Sequence, residues 1–250
     1  MQPPEIVLFV GPTISHAEIA EILPLARCLP PAAQGDCYRA AQQRPSMIGL
    51  IDGYFEQVPA IWHKELLWAM QQGIHVFGSA SMGALRAAEL APFGMIAVGE
   101  IARAYQSGQL DADDEVAIVH GPAEYGYRPL SVALVNIRAT LAVALSQQII
   151  DRPSHDRLIA LAQQRFYPER SYQALMADAA LAGFDPQQLA RLATWIQQHQ
   201  VDQKRADAHE MLMLMHAYQQ QGQAPAAPNY RLAETSTWRK FVRSEQPRSH

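Results

Sequence analysis

At 250 residues, 49% hydrophobic and 18% charged, the chain suits one large domain, or a principal domain with a smaller appendage, around a sizeable core. Its 20 basic and 24 acidic residues leave a net charge of −4, which argues against nucleic acid or an anionic membrane as a partner. Two cysteines, Cys28 and Cys37, give no basis for a disulfide framework or a Cys-based zinc site, so no metal is expected.

The first apolar run, Ile6 to Val10, follows Met1-Gln2-Pro3-Pro4-Glu5 with no basic residue ahead of it. It is too short for a signal peptide or a membrane span, and a soluble, cytoplasmic protein is expected. The run reads as a strand buried on both faces and ends at Gly11-Pro12. Ser15 with Glu18 forms a capping box that opens a helix through about Leu23. Cys28 to Gly35 is Pro-rich and reads as loop, and Asp36 caps a helix to about Gln43.

Met47 to Ile51 is the second strand, closed by Asp52-Gly53-Tyr54-Phe55. Pro59 starts an amphipathic helix to about Gln72, and Ile74 to Phe77 is the third strand. Ser79-Ala80-Ser81 then forms a tight turn into an Ala-rich helix from Ser81 to Leu90. Met95 to Gly99 is a short fourth strand, a helix covers about Glu100 to Ser107, and Glu115 to Val119 is the last strong strand, closed by His120-Gly121-Pro122.

From Leu130 to about Gln148 the pattern is one long helix, and from Asp151 it is helical only, over about 154–165, 171–182, 186–199 and 204–221. Asp185-Pro186 is an N-cap followed by proline at the first helical position. Gln223 to His250 contains Pro, Ser and Arg and reads as a loosely attached tail. The expected fold is therefore α/β: a mostly parallel sheet of about five strands flanked by helices, followed by an all-helical part. The segments are 1–148, 149–222 and 223–250.

In an open parallel sheet the carboxyl ends of the strands form the ligand crevice. That places Gly11, Pro12, Thr13, Ser15, Asp52, Gly53, Tyr54, Ser79, Ser81 and His120 as candidates, although they lie far apart in the chain. Ser79-Ala80-Ser81-Met82-Gly83 approximates a Gly-x-Ser-x-Gly nucleophile elbow, with Ser79 where the first glycine belongs. A strand-turn-helix junction also aims several backbone N–H groups outward at the start of the helix. The ordinary job of Ser81 is to cap that helix, but Gly83 is a poor helix former and Ala84 stands where a capping-box Glu would be. Asp52 before Gly53 is a base, a base-orienting group, a metal ligand or a turn former. His120 is a general base or a hydrogen-bonded turn histidine. Arg86 and Glu89, three apart, form a salt bridge or bind an anion. His209 and His216, seven apart, make no metal pair, and one glycine in Gly11–Ser15 makes neither a P-loop nor a dinucleotide fingerprint, so no cofactor is expected.

Taken together, Phe9-Val10-Gly11-Pro12-Thr13, Gly49 to Phe55, Trp62-His63-Lys64-Glu65, Ser79 to Glu89 and Asp114-Glu115-Val116 with His120-Gly121-Pro122 closely resemble the TfuA-like proteins, in order and spacing through about residue 145. The resemblance implies a partner of YcaO-type ATP-dependent enzymes in installing backbone thioamides in ribosomally made precursor peptides. It implies recruitment of that enzyme and delivery of sulfide, for example by hydrolysis of the C-terminal thiocarboxylate of a ThiS-like sulfur carrier. For such a (thio)acyl hydrolase, the residues supply Ser81 as nucleophile, His120 as base, Asp52 as its orienter and His63 as a reserve base. Gly11, Pro12, Thr13, Ser15, Gly53, Tyr54, Ser79, Met82, Gly83 and Arg86 are the candidate substrate-binding set. A non-catalytic adaptor that brings YcaO, peptide and carrier together is the alternative, and a hydrolase of unrelated small esters a third reading.

Overall fold

The structure is a computed structural model that describes residues 5–55 and 58–245. Met1 to Pro4 and the last five residues of the expected tail lie outside the described residues. The chain divides into two compact units, Met1–Gln109 with Asp207–His250, and Leu110–Ala206. These units run across the sequence-based segments, because the chain after residue 206 returns to the first unit.

The first unit holds β1 (Ile6–Phe9), α1 (His16–Ile22), β2 (Arg27–Leu29), α2 (Asp36–Gln42), β3 (Met47–Leu50), α3 (His63–Gln71), β4 (His75–Ser79), α4 (Met82–Leu90), β5 (Ile96–Val98) and α5 (Glu100–Gln106). All pairings are parallel, in the order β2-β1-β3-β4-β5. The second unit holds α6 (Leu134–Ser146), α7 (Arg152–Gln164), α8 (Tyr172–Leu181) and α9 (Pro186–His199). Then α10 (Gln203–Gln221) leads back to the first unit, which ends with α11 (Ser236–Glu245).

Side chains alternate along a strand, so Ile6, Leu8 and Val10 share one face of the sheet. That face packs on Ile19 of α1 and on Met211, Leu212 and Met215 of α10. The three α10 side chains are fully buried, and each contributes about 1.5–3 kcal/mol relative to exposure. Helices α3 and α4 pack against β4. In the second unit Leu134, Ile137, Leu141, Leu158, Leu175, Leu192 and Ile196 form a separate helical core. Its helices start where side chains take the first free N–H groups: Asp151 from Ser154, Ser171 from Ala174 and Asp185 from Gln188.

Three expectations are corrected. Arg27–Leu29, expected as loop, is a strand, because its backbone pairs with Val7–Phe9 at the sheet edge. Glu115–Val119, expected as a strand, belongs to no sheet among the described residues. Cations hold its start instead: Arg170 Nη1 donates to O of the preceding Asp114, Arg138 forks onto the Glu115 carboxylate at 2.7 and 2.9 Å, and Lys204 Nζ donates to Val116 O at 3.1 Å. The expected loose tail carries α11, whose Trp238 and Phe241 are buried in an aromatic cluster with Tyr38, beside Trp62 and Trp68. No helix among the described residues is long and apolar enough to cross a membrane.

Candidate functional site

In this strand order the chain first leaves β1 toward β2 and then crosses to β3 on the other side, so the topological switch lies between β1 and β3. The loops that leave those two strands meet there. Asp52 Oδ2 accepts the Gly11 and Thr13 N–H groups at 2.9 and 3.1 Å, and Oδ1 accepts the Thr13 hydroxyl at 2.6 Å. Asp52 and Thr13 are buried. The carboxylate therefore fastens the Gly11-Pro12-Thr13 loop to the end of β3. Ser15 is a helix cap with its capping box to Glu18 complete, as the spacing predicts, and Tyr54 N–H donates to Ala32 O across the edge of the same loop.

At the end of β4 the backbone makes an abrupt turn. Ser81 N–H donates to Ser79 O at 2.8 Å around Ala80, whose φ is +65°. A hydrogen bond between residues two apart around a central residue of positive φ is a γ-turn, which is strained for any residue with a Cβ. The strain thus lies at Ala80, one residue before the serine, while Ser81 itself has φ −114°. Ser81 occupies the N-cap position of α4, yet its side chain makes no capping hydrogen bond. Ser79 Oγ is fully buried and has no partner among the described residues.

The expectation of several outward N–H groups at the start of α4 is also corrected. Ala84 N–H turns back to Ser81 O at 2.9 Å, and Gly83 N–H donates to Ile51 O at 3.2 Å. The second bond follows from close packing: a Cβ on Gly83 would lie 1.8 Å from Leu50 O, so only glycine lets α4 approach β3 this closely. Met82 N–H makes no backbone hydrogen bond among the described residues. Gly53 abuts the same residue, since a Cβ there would fall 2.8 Å from Met82 Cγ. The structure therefore brings Gly11, Thr13, Asp52, Gly53, Met82 and Gly83 together at one edge of the sheet, with the Ser79–Ser81 turn leading into α4.

His63 and Arg86 belong to a different arrangement. His63 Nε2 meets Glu89 Oε2 at 2.6 Å, and Arg86 Nη1 donates to the same oxygen at 2.8 Å while its Nε donates to Ile61 O. Partial burial raises the Glu89 carboxyl, but the hydrogen bonds and charges of His63 and Arg86 outweigh it and hold it below its ordinary range. Eight residues of α4, about 12 Å of helix axis, separate Glu89 from Ser81, which anchors His63 away from that serine.

His120 lies in the second unit. Its Nδ1 donates to the backbone carbonyl of Gly121 at 2.8 Å. A carbonyl only accepts, so Nδ1 carries the proton in the neutral ring. Sequence reasoning missed Arg138, Arg170 and Lys204, which hold the segment leading to His120. It also missed Tyr127, whose ring stands edge-on to His120 at 5.5 Å. An aromatic residue within the Gly- and Pro-containing run after His120 was the available signal.

A family model described as TfuA-like protein matches residues 52–171. This match supports assignment to the TfuA-like family. It begins at Asp52, covers the Ser79–Ser81 turn and His120, and ends at Ser171, one residue past the arginine that holds Asp114. Its reach into α7 and beyond exceeds the resemblance seen to about residue 145, while the Gly11–Thr13 loop lies outside it. A comparison with curated proteins finds no match.

Proposed function

We propose that this TfuA-like chain is an accessory protein of YcaO-dependent backbone thioamidation that frees sulfide by hydrolysing the C-terminal thiocarboxylate of a ThiS-like carrier. Membership of the TfuA-like family is consistent with a YcaO-associated role. The observation that carries the hydrolase reading is the Ser81 hydroxyl, unused as a cap, followed by a Met82 N–H with no backbone acceptor. In a nucleophile elbow, the N–H of the residue after the serine is an oxyanion donor.

In this reading Ser81 Oγ attacks the thiocarboxylate carbon while a general base takes its proton. Met82 N–H holds the tetrahedral oxyanion, an interaction typically worth roughly 3 kcal/mol of barrier. The C–S bond then breaks and the proton passes to sulfur, so HS⁻ departs and the carrier remains as an ester on Ser81. Water activated by the same base cleaves the ester, which releases the carrier carboxylate and restores the serine. Asp52 takes no proton here; it holds the wall of the site.

The burial of Ser81, only 3% exposed, favours the adaptor as the second reading. The two separate when the isolated chain is given thiocarboxylated carrier without YcaO and sulfide is assayed. Sulfide release supports the hydrolase. Absence of release, with thioamidation by YcaO still dependent on the chain, supports the adaptor.

A further inference from the structure

At the amino edge of the sheet, the end of β4 opposite Ser81, the first unit holds a half-open cavity of about 430 Å³. His75 opens β4 there and Ile96 opens β5, and Met70, Phe93 and Tyr218 supply more of the wall. The outer wall is the segment 223–229 between α10 and α11, with prolines at 225 and 228. Residues 224–228 make no backbone hydrogen bond among the described residues. The segment is pinned at its ends instead. His75 Nε2 donates to Gln223 O at 2.8 Å, Asn229 Nδ2 donates to Pro92 O at 3.2 Å, and the Tyr230 hydroxyl donates to Leu67 O at 2.6 Å. Between these pins Ala224, Ala226 and Ala227 are exposed, and such short side chains leave the space beneath them open.

The wall restricts what can enter. Among the described residues no Asp, Glu, Lys or Arg lines the cavity, so a charged guest would lose hydration with no opposite charge to replace it. Phe93, Tyr218 and His75 bring aromatic rings to the wall, and the last two meet edge-on at 5.2 Å and 85°. His75 is 7% exposed. Because the Gln223 carbonyl only accepts, Nε2 carries the proton in the neutral ring and Nδ1 is an acceptor. Nδ1 has no hydrogen-bond partner among the described residues. An apolar, uncharged wall with a polar group of this kind is the usual make-up of a small-molecule site, and the volume falls in the usual range of about 300–1,000 Å³.

We propose that this cavity binds a small, neutral aromatic molecule with one N–H or O–H donor, its ring against Phe93 and Tyr218 and its donor on His75 Nδ1. Indole is a simple member of that class. The site is separate from Ser81 and does not depend on the hydrolase reading.

The experiment is NMR titration of the full chain with indole, N-methylindole and indoleacetate. Wild type should bind indole saturably with a Kd below about 1 mM, and Overhauser contacts should join the indole protons to Ile96 and Tyr218. N-methylindole keeps the ring and loses the donor, so it should bind at least tenfold more weakly. Indoleacetate carries a charge and should also bind at least tenfold more weakly. In His75→Phe a ring remains on the wall without the acceptor, so the preference for indole over N-methylindole should vanish, whatever release of the Gln223 pin does to both affinities. Absence of saturable indole binding, or Overhauser contacts confined to residues outside the cavity, would overturn the site. Equal affinity of wild type for indole and N-methylindole would overturn the donor contact, as would a preference that survives in His75→Phe. The three ligands compared on wild type decide the matter even where that variant fails to fold.

Discussion

Asp52 follows β3 and Ser81 follows β4, neighbouring strands of one sheet, and both side chains are almost fully buried. Asp52 is committed to three hydrogen bonds that tie one strand-end loop to another. Ser81 sits at a helix cap and does none of the capping. The contrast teaches that residue type at a strand end is a poor guide to chemistry, because an aspartate before glycine and a serine before a helix each have an ordinary structural use. The informative residue is the one whose structural use is declined.

Substitutions at the two strand ends sharpen the contrast. Asp52→Ala should have the largest effect on the fold, since it strands two backbone donors and a hydroxyl in a buried loop. A loss of about 3 kcal/mol or more in urea-unfolding free energy is expected, and a loss below about 1 kcal/mol would show that the loop does not depend on the carboxylate. Gly83→Ala comes next, because its Cβ would meet Leu50 O at 1.8 Å; overpacking of this kind costs about 1–3 kcal/mol. The same denaturation series should place it clearly below wild type, and equal stability would contradict the close approach of α4 to β3. Ala80→Gly should move the other way, with a net gain of about 1 kcal/mol, as relief of the γ-turn strain exceeds the extra freedom of glycine in the unfolded chain.

The smallest effect concerns pH. The folded-state carboxyl of Glu89 titrates below its ordinary range, so its stabilisation is fully present above that range and fades as the pH falls through the depressed value. His63→Ala should flatten this acid loss, measured as urea midpoints between about pH 3 and 7. An unchanged pH slope would show that the His63–Glu89 contact has no energetic weight in solution.

Much of the α/β half was legible in the sequence. Unbroken apolar runs such as Ile6–Val10 and Met47–Ile51 mark strands buried on both faces, and the helices carry strong starts at Ser15 and Asp185. Arg27–Leu29 was not legible, because an edge strand of three residues carries too little pattern and is fixed by its backbone partner. Glu115–Val119 misled for the opposite reason: its start is held by Arg170 on Asp114, Arg138 on Glu115 and Lys204 on Val116 O, cations distant in sequence. The helix in the tail was hidden by its Pro-rich approach, although Trp238 and Phe241 stand three apart, as neighbours on one helical face do. At the site, position was legible and occupation was not. Strand polarity puts Asp52 and Ser81 at one edge, but only coordinates show which polar groups are already used.

The most direct test of the central claim is sulfide release from a thiocarboxylated carrier by Ser81→Ala, paired with its unfolding free energy. With no capping bond to lose, stability should stay within about 0.5 kcal/mol of wild type, while the rate should fall at least a hundredfold. A variant as stable as wild type that still releases sulfide at the wild-type rate would contradict Ser81 as the nucleophile.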